Sequence, residues 1–429
     1  MEKIYNMLEF ISFLYFLCSD PKNAFARKGL ILRTMIFEHK QYNCVVARSR
    51  MMTVLARRMS GTTFDKIIIR RIFSRMLNDL QPRGRVRMNF FSDVDCHKGG
   101  TNSVNFHSRL PIFATCGKDP TVKLWTIETN GTVNKLVDLQ RHTTEVNSVS
   151  FCDWDIPFVL SAGKTETILW QMTPQYDRVE RIATFHEDRY DGAITCAISH
   201  PTFPVIATYI KNVGFSIWKI DQTDLEKSFC FAMVKNPTSL VIFHPCMPIL
   251  IEVFEIPGKL KFWDMSDYLK PPTIADKLHR LFNFRPNNDG LHCLVEYSCR
   301  DNFVITSISP HPTIPILVVG DCSGKMLILD ISKKSAPIES AFVQEAHPNY
   351  EPITSISFSK RSPIMVSTDE NGSIRIWKLH FNGGKITFHY VASSRAGGSD
   401  LTDSSFHPWL NLAVVTSKTR KTVVFSIGL

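Results

Sequence analysis

HKGGTNSVNFHSRLPIFATCGKDPTVKLW, residues 97–125, reads as strand, turn, strand, turn, strand, and the rest of the chain repeats it less perfectly. The run from Asn102 to Phe106 alternates polar and apolar side chains, as a strand with one packed face does. The next run, Ile112 to Cys116, is short and apolar and is fenced by Pro111 and Gly117. The third runs from Thr121 to Trp125. Between the last two, Gly-Lys-Asp-Pro supplies a tight polar turn in which Gly117 tolerates unusual backbone angles and Asp119 bonds nearby backbone.

The motif recurs. Trp125, Trp170, Trp218, Trp263 and Trp377 close the runs VKLW, TILW, FSIW, LKFW and IRIW, and Leu329 and Phe425 stand in for Trp in two more. Successive closing positions lie 45, 48, 45, 66, 48 and 48 residues apart, close to the roughly 40 to 45 residues of a propeller blade. A second ruler agrees: Ser108, Asp153, Pro201, Pro312, Lys360 and Pro408 fall 17 residues before the closing position, and Pro245 falls 18 before it. Three residues further on, Pro111, Pro204, Pro248, Pro315 and Pro363 recur, and proline belongs in a turn or at a strand start because it cannot donate to a ladder.

Aligned on Trp125, residues His97, Thr115 and Asp119 occupy the places that form a buried His, Ser/Thr, Asp, Trp network in WD40 repeats, which this stretch resembles. The resemblance implies an all-β, seven-bladed WD40-type propeller over residues 85–429. It also implies ring closure by strand exchange between 85–91 and 401–427. Later units carry less of the network: His142, Ser161 and Trp170 without a turn Asp; Thr208 and Trp218; then Ser367, Asn371 and Trp377, with His347 set back by a longer loop. At Trp263 the turn Asp is replaced by Pro257, so no network is expected there.

Residues 1–84 read as a basic extension, partly helical or disordered. Residues 21–87 hold 16 Lys or Arg against Glu38, Asp65 and Asp79, which accounts for the whole formal charge of +10 and leaves the blades near neutrality. Such an arm on a neutral body points to an acidic partner: nucleic acid, an anionic membrane or an acidic protein face. The candidate contacts are Arg70, Arg71, Arg75, Arg83, Arg85 and Arg87. Between Thr63 and Leu80 apolar Ile67, Ile68, Ile72, Phe73 and Leu77 alternate with arginines. Docking on the propeller, lying on a membrane and meeting phosphates all remain open to this amphipathic pattern. The apolar run from Phe10 to Cys18 is 9 residues, well short of the roughly 20 that span a bilayer.

The 66-residue interval holds one insertion, in which Thr273 to Phe284 reads as a short helix with Leu278, Leu281 and Phe282 on one side, a candidate partner-binding element. Eleven cysteines are scattered with no Cys-x-x-Cys, which favours a reducing, intracellular location, cytoplasmic or nuclear. No catalytic, metal or cofactor set stands out. Gly320 to Lys325, GDCSGK, lacks the spacing of a phosphate loop and falls where the repeat needs a hairpin. His200, His244, His311 and His407 sit at equivalent places on different blades and so cannot converge on one ion. The expectation is a non-catalytic scaffold for protein partners, with weak nucleic-acid or anionic-surface binding through the arm as the alternative, a propeller-based enzyme as a more remote one, and no small-molecule substrate.

Overall fold

A computed structural model describes residues 87–428 apart from short stretches at 129–130, 187–191, 246, 267–290, 313, 333–336, 348–349, 361, 383–384, 397–399 and 420. The strand β1 (Arg87–Asp95) comes first. Blade 1 follows as β2 (Thr101–Phe106), β3 (Ile112–Gly117), β4 (Thr121–Ile127) and β5 (Val133–Gln140). Blade 2 is β6 (Val146–Cys152), β7 (Phe158–Gly163), β8 (Glu166–Met172) and β9 (Val179–His186). Blade 3 is β10 (Cys196–Ser199), β11 (Val205–Ile210), β12 (Gly214–Lys219) and β13 (Phe229–Val234). Blade 4 is β14 (Leu240–Phe243), β15 (Ile249–Phe254), β16 (Lys259–Asp264) and β17 (His292–Ser298). Blade 5 is β18 (Ile305–Pro310), β19 (Ile316–Asp321), β20 (Met326–Asp330) and β21 (Ile338–Val343). Blade 6 is β22 (Ile353–Phe358), β23 (Ile364–Asp369), β24 (Ser373–Asn382) and β25 (Lys385–Arg395). Blade 7 contributes β26 (Leu401–Phe406), β27 (Leu412–Ser417) and β28 (Lys421–Gly428).

Every sheet is a four-stranded antiparallel meander, and the seventh takes β1 as its outer strand in the order β1, β28, β27, β26. Arg87 faces Gly428 and Asp95 faces Lys421 across that pairing, with a bulge between Phe90 and Ser92. Among the described residues there is no α-helix, and a 3-10 turn spans Leu225–Lys227. The segments expected to be helical, in 1–84 and at Thr273 to Phe284, lie outside the described residues.

Packing explains why the second strand of each blade reads as continuous apolar sequence. β3, β7, β11, β19, β23 and β27 are buried at every position, because both faces of each sheet are covered by neighbouring blades. Seven separate apolar clusters result, one at each blade interface. Val122 and Leu124 of blade 1 pack with Val159 and Ile168 of blade 2, and Phe113 and Trp125 of blade 1 pack with Val414 and Val424 of blade 7. Each fully buried large aliphatic or aromatic side chain contributes about 1.5 to 3 kcal/mol, and the contribution depends on both neighbours being in place. The innermost strands β2, β6, β10, β14, β18, β22 and β26 therefore line a central channel.

Candidate functional site

The sequence-derived network is assembled in blade 1. His97 Nδ1 lies 2.7 Å from Asp119 Oδ1 and its Nε2 lies 2.9 Å from Thr115 Oγ1, to which Trp125 Nε1 donates at 2.8 Å. Burial lowers the His97 pKa against the opposing pull of Asp119. Burial would raise Asp119, but hydrogen bonds from Thr121 and His97 outweigh it and hold the carboxyl below its usual range. The loop that delivers His97 depends on Gly100, whose φ of 113° is the left-handed region; a Cβ there would meet the Lys418 carbonyl oxygen at 2.2 Å.

Blade 2 brings His142, Ser161 and Trp170 together, with Ser161 Oγ 2.8 Å from both His142 Nε2 and Trp170 Nε1. Glu166 Oε1 approaches His142 Nδ1 at 3.4 Å. In blade 3 Trp218 Nε1 donates to Thr208 Oγ1 at 3.3 Å.

Two blades correct the sequence reading. In blade 6 His347 is in place rather than set back: its Nε2 lies 2.6 Å from Ser367 Oγ and its Nδ1 2.8 Å from Asp369 Oδ2, while Trp377 Nε1 donates to Ser367 at 2.8 Å. The carboxylate is Asp369, not Asn371, which is exposed in the following turn. In blade 4 Trp263 does have a polar partner. Its Nε1 donates to Glu252 Oε2 at 2.9 Å, and Glu252, wholly buried, also accepts from Thr238 Oγ1 at 2.6 Å and Asn236 Nδ2 at 3.1 Å.

The histidines that follow the inner strands are turn staples. His107, His200, His244, His311 and His407 each accept at Nδ1 from a backbone N–H two or three residues on. Ser359 does the same in blade 6, accepting from Ser362 N at 3.2 Å. Burial depresses His244 and His407 to about 4 and His311 to about 3. A buried neutral imidazole with a structural bond is not poised for proton transfer near neutral pH.

Among the described residues, no three His, Cys, Asp or Glu side chains gather as a metal site. An open recess is lined by Cys299, Arg300, Phe303, Lys325, Phe342 and Gln344. There Arg300 lies over the Phe342 ring at 4.0 Å and donates through Nε to Glu339 at 3.2 Å. Lys325 belongs to the hairpin between β19 and β20, where Asp321 accepts from Ser323 N and Lys325 N. Arg87 begins β1. Arg70, Arg71, Arg75, Arg83, Arg85, Leu278, Leu281 and Phe282 lie outside the described residues.

The family model of the WD domain, G-beta repeat, matches residues 89–126 and 339–378. Those are the two segments that hold a complete tetrad, His97, Thr115, Asp119 and Trp125 in one and His347, Ser367, Asp369 and Trp377 in the other. The remaining blades keep the strand pattern without the full set of polar side chains. Among curated proteins, none matches the sequence.

Proposed function

We propose that this chain, a seven-bladed WD40 propeller, serves as a non-catalytic scaffold that binds other proteins through its loop-built faces. The observation that carries the reading is where the polar chemistry is spent. Among the described residues, His97, His142, His347 and Glu252 sit in blade networks, and His107, His200, His244, His311 and His407 serve as turn staples. Rigid platforms commonly present binding residues on variable loops. The eight described cysteines form no disulfide with one another, in keeping with a reducing intracellular setting.

The test is proximity labelling with quantitative mass spectrometry, comparing the wild type with a Lys118→Glu, Lys418→Glu variant. Both lysines are exposed turn residues of neighbouring blades on the His97 face. The expected result is a defined protein set lost by a variant whose melting temperature is unchanged. The same labelled set for both proteins would argue against this face.

A second reading, nucleic-acid association through the basic arm, is favoured by one observation, the 16 Lys or Arg within residues 21–87. Each phosphate contact steepens the salt dependence of binding by about 0.9 in log-log slope on duplex DNA. Filter binding across a salt series, with Arg70, Arg71 and Arg75 replaced by Glu, checks it. Shallow or unchanged salt dependence removes this reading.

A further inference from the structure

Four residues before the second strand of each blade, or five in blade 2, the chain turns at the mouth of the channel opposite the His97 face, and one residue per blade marks that turn. Around the ring these are Ser108, Asp153, Pro201, Pro245, Pro312, Lys360 and Pro408, five uncharged and two of opposite charge. The two charged ones meet: Lys360 Nζ lies 3.8 Å from Asp153 Oδ2, with the side chains 34% and 26% exposed. Asp153 follows β6 of blade 2 and Lys360 follows β22 of blade 6. These blades are not neighbours. Blades 3, 4 and 5 separate them on one side and blades 7 and 1 on the other, so the ion pair is a chord across the channel mouth. His107 of blade 1 feels both charges, in keeping with a shared mouth.

A second observation shows what the chord spans. Side chains of the inner strands tie each blade to the next over most of the ring. Asn102 Nδ2 donates to Val146 O at 2.9 Å, Asn147 Nδ2 to Ile194 O at 2.7 Å, Thr306 Oγ1 to Ile353 O at 2.8 Å and Thr402 Oγ1 to Thr101 O at 2.9 Å. Between blades 6 and 7, Ser355 Oγ meets Ser404 Oγ at 2.9 Å. The equivalent residues of blades 3 and 4 turn inward on their own sheets, with Thr195 accepting from Lys211 N and Ser239 from Glu255 N. Alongside them the inner strands carry Cys196, Ile198, Leu240 and Ile242, none of which can make an amide or strong hydroxyl tie. Along the arc from blade 3 to blade 5 the ties come instead from turn residues: His200 Nε2 lies 3.3 Å from Met247 O, His244 Nε2 3.3 Å from Ile331 O, and Lys211 pairs with Glu255; blades 2 and 6 flank that arc.

We propose that Asp153 and Lys360 form a latch across one mouth of the channel, holding blades 2 and 6, which flank the arc of blades 3 to 5, at a fixed separation. A closed ring of blades held only by neighbour contacts can splay, and a chord opposes that splaying directly. The pair is partly exposed, so salt weakens it.

Zero-length carbodiimide cross-linking of the full chain joins an amine to a carboxylate only when they touch. The expected product is an amide between Lys360 and Asp153, absent from a Lys360→Met variant. The Lys211–Glu255 pair, at 2.7 Å between neighbouring blades, is the internal control. A charge-reversal cycle supplies the second reading: Asp153→Lys and Lys360→Asp should each lower the folding equilibrium constant about two- to fivefold, and the double reversal should recover it. A control cross-link without the 153–360 product, or additive losses in the double variant, overturns the latch.

Discussion

Glu252 shows how one displaced residue hides a side chain's role. Counting ten back from Trp125, Trp218 or Trp377 lands on Thr115, Thr208 or Ser367, each the acceptor for its indole. Counting ten back from Trp263 lands on apolar Val253, because the Ile256-Pro257 turn adds a residue, and the true acceptor sits at eleven. The same arithmetic misassigned Asn371: Asp369 lies two residues earlier, at the end of β23 and on the same side of that strand as Ser367, and so reaches His347. The tryptophan period was readable from the chain because large apolar residues repeat at fixed spacing. Most polar partners were readable at the same fixed offsets, but Glu252 and Asp369 were not, because a hydrogen bond tolerates a different residue arriving from a neighbouring position. Trp125→Ala and Trp263→Ala should therefore both destabilise by about 3 to 5 kcal/mol in urea titrations, each leaving buried polar groups behind. Glu252→Ala should cost about 3 kcal/mol, since three donors lose an acceptor, while Glu252→Gln should recover most of that loss.

β1 has a structural part out of proportion to its nine residues. It covers the edge of β28, places Phe90 against Phe425 at 6.4 Å, and lets Ser92 Oγ donate to the Gly131 carbonyl of the next blade at 3.2 Å. The seam between blades 7 and 1 is further tied by Asp403, which accepts from Ser103 Oγ at 2.9 Å and Val104 N at 3.1 Å. Truncation that begins the chain at Cys96 should lower the melting temperature sharply and broaden the transition, as should deletion from Lys421 onward. A chain beginning at Arg87 should retain the cooperative melt of the intact propeller. Circular dichroism melts of the three proteins check this, and equal stability of all three would remove ring closure as a source of stability. The need for an outer strand was legible, because the seventh unit stops after its third strand. The extent of β1 was not, since its bulge between Phe90 and Ser92 interrupts the alternation a reader would follow.

Acid should loosen the whole ring. His244, His311 and His407 are buried on three blades with pKa values pushed to about 4, about 3 and about 4. A depressed histidine is held neutral by the fold, so its contribution is complete above the ordinary value of about 6.5 and is lost as pH falls from there toward 4, where the unfolded chain gains protons the fold refuses. At pH 5 each such group costs on the order of 2 kcal/mol. Differential scanning calorimetry should find the transition roughly 10 °C lower at pH 5 than at pH 7.5, and a flat profile over that range would contradict the buried neutral assignment. The partner of Arg87 in the closing ladder is Gly428, at the same end of the sheet. A tether attached at these two positions and placed under tension would load the β1 and β28 ladder at its tip, so that it gives way one bond at a time like a zipper. A molecule stiff against thermal splaying would then have a soft mechanical seam, and pulling from any other blade would meet far greater resistance.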